Sequence, residues 1–174
     1  QTASPSFLVT GVVRNCQKNI TKAVKCIEKA LSFSTKVEYF FVESDSKDKT
    51  RLSLKQLESS MKNFKWVSMG DLRNKIPKRT ERLALCRNKY LEYIRSSANP
   101  KADYMIVVDG DGIVKSLSSK AVKSCWLHPN WSMMAANVKG PYYDIWALRH
   151  HLWSPDDCWE SANKKKSLGF RHHE

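Results

Sequence analysis

The sequence has no apolar run approaching the roughly 18–20 residues that cross a bilayer, so nothing in it reads as a membrane span. It has no C-x-x-C pair, and its five cysteines (Cys16, Cys26, Cys86, Cys125 and Cys158) are scattered and odd in number. That excludes a zinc-ribbon signature and a disulfide framework, and leaves reduced thiols as the default. Cys26, Cys86 and Cys125 read as small core residues. Gly and Pro number only six each, too few for a collagen-like or low-complexity chain. No G-x-G-x-x-G follows the first strand-like run and no G-x-x-x-x-G-K-[ST] occurs, so neither the usual dinucleotide fingerprint nor a P-loop is present. Gln1 to Ser6 carries no basic n-region, and no signal peptide is expected there.

Negative charge is also short. Thirty Lys and Arg face 17 Asp and Glu, a formal charge of +13. Such a balance favours an anionic partner: nucleic acid, anionic lipid or a phosphorylated small molecule. The excess is dense from Arg73 to Lys89, with seven basic residues and one acidic residue, Glu81. The remaining composition, 41% hydrophobic and 27% charged, is that of an ordinary globular chain. A length of 174 residues fits one domain that can bury a real core.

Strand-like and helix-like segments alternate. Phe7 to Val13 is a buried strand, rich in β-branched residues. Asn19 is placed to cap a helix whose apolar residues are Ile20, Val24, Ile27 and Leu31. Val37 to Val42 is a second strand, and Leu54, Leu57, Met61 and Phe64 mark a second helix. Lys65 to Ser68 is a short strand. Thr80 is placed to cap a helix burying Leu83, Cys86, Tyr90 and Ile94. Asp103 to Val108 reads as the strongest strand, followed by a helix around residues 118–126 and a strand around 133–138. The order implies an α/β fold, an open and mostly parallel sheet with helices on both faces.

Ligands of open α/β sheets bind at the carboxyl ends of the strands. Three strands end in polar residues there: Arg14 and Asn15, Glu43 and Asp45, Asp109 and Asp111. Two carboxylates one residue apart at a strand end suit one hard cation, Mg²⁺ or Mn²⁺, shared with substrate phosphates. A calcium loop is excluded, because its fifth and twelfth positions would be Ile113 and Lys120. A strand followed by D-x-D-G also resembles the opening of dehalogenase-type phosphatases, but only about 60 residues follow it for that family's other motifs.

The segment Val42-Glu43-Ser44-Asp45-Ser46-Lys47-Asp48-Lys49-Thr50 resembles the N-D-x-S-x-D-x-T signature of nucleotide-sugar glycosyltransferases of the GT-A fold. Arg79 to Asn88 is similar to their R-x-x-x-x-A-x-x-R-N helix start, and Asp109-Gly110-Asp111 sits where their D-x-D sits. Tyr142-Tyr143-Asp144-Ile145-Trp146-Ala147-Leu148-Arg149 resembles a segment of capsule-associated mannosyltransferases and related bacterial and viral enzymes. Lys49 and Gly110 depart from the common pattern.

The resemblance implies a GT-A-like catalytic domain over 1–174, short at its C-terminus, with a nucleotide-sugar part at about 7–140 and an acceptor-side segment at about 141–174. It implies a metal-dependent hexosyltransferase that moves a sugar from a nucleoside diphosphate sugar to a glycan or lipid-linked acceptor. The donor would lie against Val12, Arg14, Glu43, Asp45, Arg82 and Asp109, with Mn²⁺ or Mg²⁺ on Asp109 and Asp111. Trp131, Tyr143, Trp146 and Arg149 would face the acceptor, and Asp144 would act in catalysis. Retention of configuration is favoured on that resemblance alone. A cytoplasmic location (a host cytoplasm for a viral chain) and peripheral membrane contact complete the expectation, with no nucleic-acid partner. The competing readings are a nucleic-acid-binding module using the basic surface and the dehalogenase-type phosphatase.

Overall fold

The computed structural model describes residues 4–96, 101–110 and 112–136. The chain divides into two compact units, Gln1–Asn130 and Trp131–Glu174, and every regular element described lies in the first. In order these are β1 (Ser6–Val13), α1 (Ile20–Ala30), β2 (Lys36–Glu43), α2 (Thr50–Ser60), β3 (Phe64–Ser68), α3 (Arg79–Arg95) and β4 (Tyr104–Val107). A 3-10 turn (Ile113–Ser116), the short α4 (Ser119–Lys123) and a second 3-10 turn (Ser124–Leu127) follow. The four strands run parallel in the order β3-β2-β1-β4. This is the expected α/β class, a Rossmann-type parallel sheet with helices on both faces.

Strand alternation divides the core into two layers. Phe7, Val9 and Val13 of β1 and Tyr39 and Phe41 of β2 pack against Ile20, Val24 and Ile27 of α1 and Leu54 and Leu57 of α2. Leu8, Phe40 and Val42 face the other way, against Cys86 and Tyr90 of α3. Phe40 and Tyr93 stack there with ring centroids 3.9 Å apart. Covered on both faces, β1 and β2 read as nearly continuous apolar runs.

Several elements differ from the sequence reading. Asn19 occupies the cap position of α1 without a side-chain capping bond; the turn is closed by Asn19 and Ile20 N–H groups donating to the Cys16 carbonyl, both at 2.9 Å. The N-cap of α3 is Lys78, so Thr80 lies inside the helix. The buried face of α3 is Arg82, Cys86 and Tyr90, which leaves Leu83 half-buried. Phe64 begins β3 rather than ending α2. The helix expected around 118–126 forms as one α-helical turn after Ser118, whose side chain accepts from the Ala121 N–H, continued by the 3-10 turn Ser124–Leu127. Residues 133–136 form no strand, and Met133 is 83% exposed; residues 137 and 138 lie outside the described residues. With Ala135, Ala136 and Asn137 and no β-branched residue before Val138, that segment has little to favour a pleated conformation.

The most apolar run, at Asp103 to Val108, makes the shortest strand. Among the described residues it pairs with β1 alone, and Met105 and Val107 are exposed while Tyr104 and Ile106 turn inward. Its start is fastened by Ser6, whose N–H and hydroxyl both donate to the Asp103 carboxylate at 2.8 and 2.7 Å.

Gly11 is the tightest point of the sheet. A Cβ added there would lie 2.1 Å from the Val108 carbonyl oxygen, a backbone atom that cannot rotate away. Gly11→Ala must therefore push β4 off β1. The expected loss is about 1–3 kcal/mol of stability, read as a lower urea midpoint with an unchanged slope.

Candidate functional site

The carboxyl ends of three strands are level, with Val13, Glu43 and Ser68 in register. The chain winds outward from β1 to β3 and then crosses to β4 on the opposite side of β1. That reversal opens a crevice at the carboxyl ends of β1 and β4, where ligands of such sheets bind. Residues after β4 keep climbing alongside β1. The Val108 N–H donates to the Thr10 carbonyl at 2.8 Å, and Gly110 is buried against Val13, Cys16 and Ile20. Any side chain at 110 would meet Val13 Cγ1 at 2.6 Å, which explains a glycine between the two acids. Asp109 is exposed at this crevice, as is Arg14, and Val12 is half-buried.

The turns after β1 and β2 are laced together. The Asn15 N–H donates to Ser46 Oγ at 3.1 Å, and Asn15 Oδ1 accepts from the Lys47 N–H at 2.8 Å. The Cys16 N–H donates to Thr50 Oγ1 at 2.8 Å. The Gln17 N–H donates to Asp48 Oδ2 at 3.1 Å, and Gln17 Oε1 accepts from the Lys49 N–H at 3.0 Å. Asp48 Oδ1 accepts from both the N–H and the hydroxyl of Thr50, at 2.9 and 2.5 Å. Asn15 and Asp45 hold left-handed backbone angles, φ 50 and 57°, uncommon outside glycine and tolerated here by this lacing.

Glu43, Asp45 and Arg82 form a second, deeper cluster. Glu43 is fully buried, and its carboxylate accepts from the Ser46 N–H, Arg51 Nε and Ser68 Oγ. Asp45 accepts from the Arg73 N–H at 2.8 Å and lies 3.7 Å from Arg82 Nε. Arg82 Nη1 donates to the Ile76 and Pro77 carbonyls at 2.7 and 2.6 Å. Burial works to raise the Asp45 carboxyl. Hydrogen bonds from the Arg73 and Leu72 backbone N–H groups, with the Arg82 guanidinium, overcome it and hold Asp45 below the ordinary carboxylate range. Asp48 is likewise held low, because its bonds from Thr50 and Gln17 outweigh the burial that would raise it. Burial pushes the Cys16 thiol up to about 11, so it is no nucleophile at neutral pH. Cys16 and Cys86 are core residues, whereas Cys26 and Cys125 are only half-buried.

The expected donor residues therefore separate into two groups. Val12, Arg14 and Asp109 lie at the crevice, while Glu43, Asp45 and Arg82 are buried and bonded to the loops. Trp131 is half-buried and belongs to the second unit. Asp111, Tyr143, Asp144, Trp146 and Arg149 lie outside the described residues. Sequence reasoning missed Asn15, Gln17 and Ser68 as partners of the motif. The spacing of Ser46, Asp48 and Thr50 was visible, but not the turn some 30 residues earlier that receives them. Asp109 offers an exposed carboxylate with no partner among the described residues, a donor type that fits a hard divalent ion, and Asp111, the second carboxylate of that expectation, lies outside the described residues.

No protein-family model and no curated protein sequence matches the chain. Among solved structures, the crystal structure of TarS residues 1–349 from S. aureus, a glycosyltransferase, is similar at 18% identity and a TM-score of 0.47. The alignment covers 82% of this chain and 40% of that one, so the chain spans less than half the length of this neighbour.

Two outcomes follow from the lacing. Asp48→Ala removes the bonds to Thr50 and Gln17 and is expected to cost about 1 kcal/mol near neutral pH. The stability due to a lowered carboxyl is complete above the ordinary 3.8 and disappears as pH falls through the lower folded value. The difference between wild type and Asp48→Ala should therefore shrink between pH 6 and pH 2.5 in urea titrations. Arg82→Lys, with a single donor group in place of a fork, should fail to hold Asp45 and both carbonyls. A loss of about 2 kcal/mol is expected by the same measurement.

Proposed function

We propose that this chain is the nucleotide-sugar-binding part of a glycosyltransferase that uses a divalent cation and transfers a sugar to a glycan or lipid-linked hydroxyl. The observation that carries the reading is the coincidence of two features at one edge of a Rossmann-type sheet. The acid- and hydroxyl-rich segment 43–50 locks the turns after β1 and β2, and Asp109 and Gly110 follow β4 at the switch point, with Asp111 next in the sequence.

In this reading Val12 offers an apolar surface to the base, and Arg14 faces the diphosphate. Asp109 and Asp111 hold Mn²⁺ or Mg²⁺. A bound cation would neutralise charge on the departing diphosphate, a contribution of several kcal/mol. Glu43, Asp45 and Arg82 are positioning residues that fix the loops around the donor. Transfer breaks the bond between the anomeric carbon and the diphosphate oxygen, which keeps the electron pair, and joins that carbon to the acceptor oxygen. Asp144 takes the acceptor proton in an inverting course. In the retaining course favoured by the resemblance, the proton goes to the departing diphosphate. Trp131, Tyr143, Trp146 and Arg149 contact the acceptor, the aromatic rings covering sugar C–H faces.

Calorimetric titration of nucleoside diphosphates and nucleotide sugars, with and without Mn²⁺, tests the reading on wild type and Asp111→Ala. One nucleotide should bind only with Mn²⁺, and at least tenfold more weakly to the variant. Binding indifferent to Mn²⁺ and to Asp111 overturns the metal's role; no binding by any member overturns the glycosyltransferase reading.

A further inference from the structure

Four cations stand in the loops at the same carboxyl end of the sheet as the crevice, on its β2–β3 side: Lys47 and Lys49 after β2, and Arg73 and Lys75 after β3. All four are exposed. Each is fastened only through its backbone. The Lys47 N–H donates to Asn15 Oδ1, the Lys49 N–H to Gln17 Oε1, the Arg73 N–H to Asp45 Oδ1 and the Lys75 N–H to the Leu72 carbonyl, all within 2.8–3.0 Å. Among the described residues none of the four side chains forms an ion pair, whereas neighbouring Arg51, Lys78 and Arg82 are paired with Glu43, Glu81 and Asp45. The two loops are themselves joined, since the Asp45 N–H donates to the Gly70 carbonyl at 2.9 Å. Of the nearby acids, Glu43 and Asp45 are buried, exposed Asp48 is engaged by Gln17 and Thr50, and exposed Asp71 accepts from Asn74 Nδ2 at 3.4 Å. The four cations outnumber the two exposed carboxylates of these loops, and the result is a shelf of net positive charge.

Resting on the glycosyltransferase reading, we propose that this shelf docks the acceptor, and that the acceptor is an anionic polysaccharide carrying repeated carboxylate or phosphate groups. Four cations separate from Arg14 exceed what one donor diphosphate needs, and suit a polymer that carries repeated negative charge. Residues 14–18, 43–51 and 69–82 contain no Phe, Tyr, Trp or His. Single-stranded nucleic acids are held by cations interleaved with aromatic stacking platforms, and the shelf has none.

The test uses sodium polygalacturonate and inorganic polyphosphate as carboxylate and phosphate probes, with neutral dextran and a single-stranded oligonucleotide beside them. Binding is measured by calorimetry at low and at physiological salt. One variant changes Lys47, Lys49, Arg73 and Lys75 to Gln. A charge-matched control changes the exposed Lys18, Lys22, Lys25 and Lys29 to Gln. At least one anionic polymer should bind wild type, weaken tenfold or more in the shelf variant and change less than twofold in the control, while dextran does not bind. An equal loss in the control overturns the proposal, as does an oligonucleotide that binds more tightly than both polymers, or failure of both polymers to bind. An unchanged melting temperature confirms that the shelf variant is folded. Nucleoside diphosphate binding with Mn²⁺ is read on the same samples. Its absence from wild type ends the glycosyltransferase reading whatever the polymers do, whereas its presence without polymer binding ends only the docking proposal.

Discussion

The hydroxyl of Thr50 is the point on which the carboxyl edge of the sheet depends. It accepts the Cys16 N–H and donates to Asp48, at a residue with no solvent exposure. Without it the buried Cys16 N–H has no partner, a penalty of about 1–3 kcal/mol. More follows from its position. Cys16 and Val13 form the floor against which Gly110 packs, and Gly110 sets the level at which Asp109 leaves the sheet. A threonine at the start of α2 thus fixes an aspartate two strands further along the chain, through a turn, a cysteine and a glycine.

Charge is sorted by depth. Asp109 apart, the acids near the crevice are either buried and bonded or tied into loops, while the cations without ion pairs among the described residues face outward. Loops bearing several like charges would ordinarily splay apart, but these are joined by backbone N–H groups to neutral side chains and to buried carboxylates. Those bonds are only weakly screened by salt, whereas the field of the exposed cations falls off over about 8 Å at physiological ionic strength. The fold and its surface potential therefore respond to salt on different scales.

Much of the architecture was legible in the chain. β1, β2 and α1 announce themselves because both faces of the strands and one face of the helix are buried, so apolar periodicity reports burial directly. Apolar periodicity misleads where a polar residue is buried. Arg82 takes the core position that the pattern assigned to Leu83, because Asp45 and two loop carbonyls supply its partners. Apolar content also overstated β4, which reads as the strongest strand although it is the shortest and exposes Met105 and Val107. At the site, the spacing of Ser46, Asp48 and Thr50 was readable as a motif. Its meaning as lacing was not, since Asn15 and Gln17 belong to another turn and polar spacing alone does not reveal its partners.

The burial of Cys16 has a consequence for observing the molecule in motion. With its thiol raised to about 11, Cys16 stays in its unreactive protonated form at pH 7. The sulfur becomes available only when the turns after β1 and β2 part. The residue therefore acts as a silent clock inside the lacing: its rate of alkylation, resolved by peptide from the half-buried Cys26 and Cys125, counts how often the edge of the sheet breathes open.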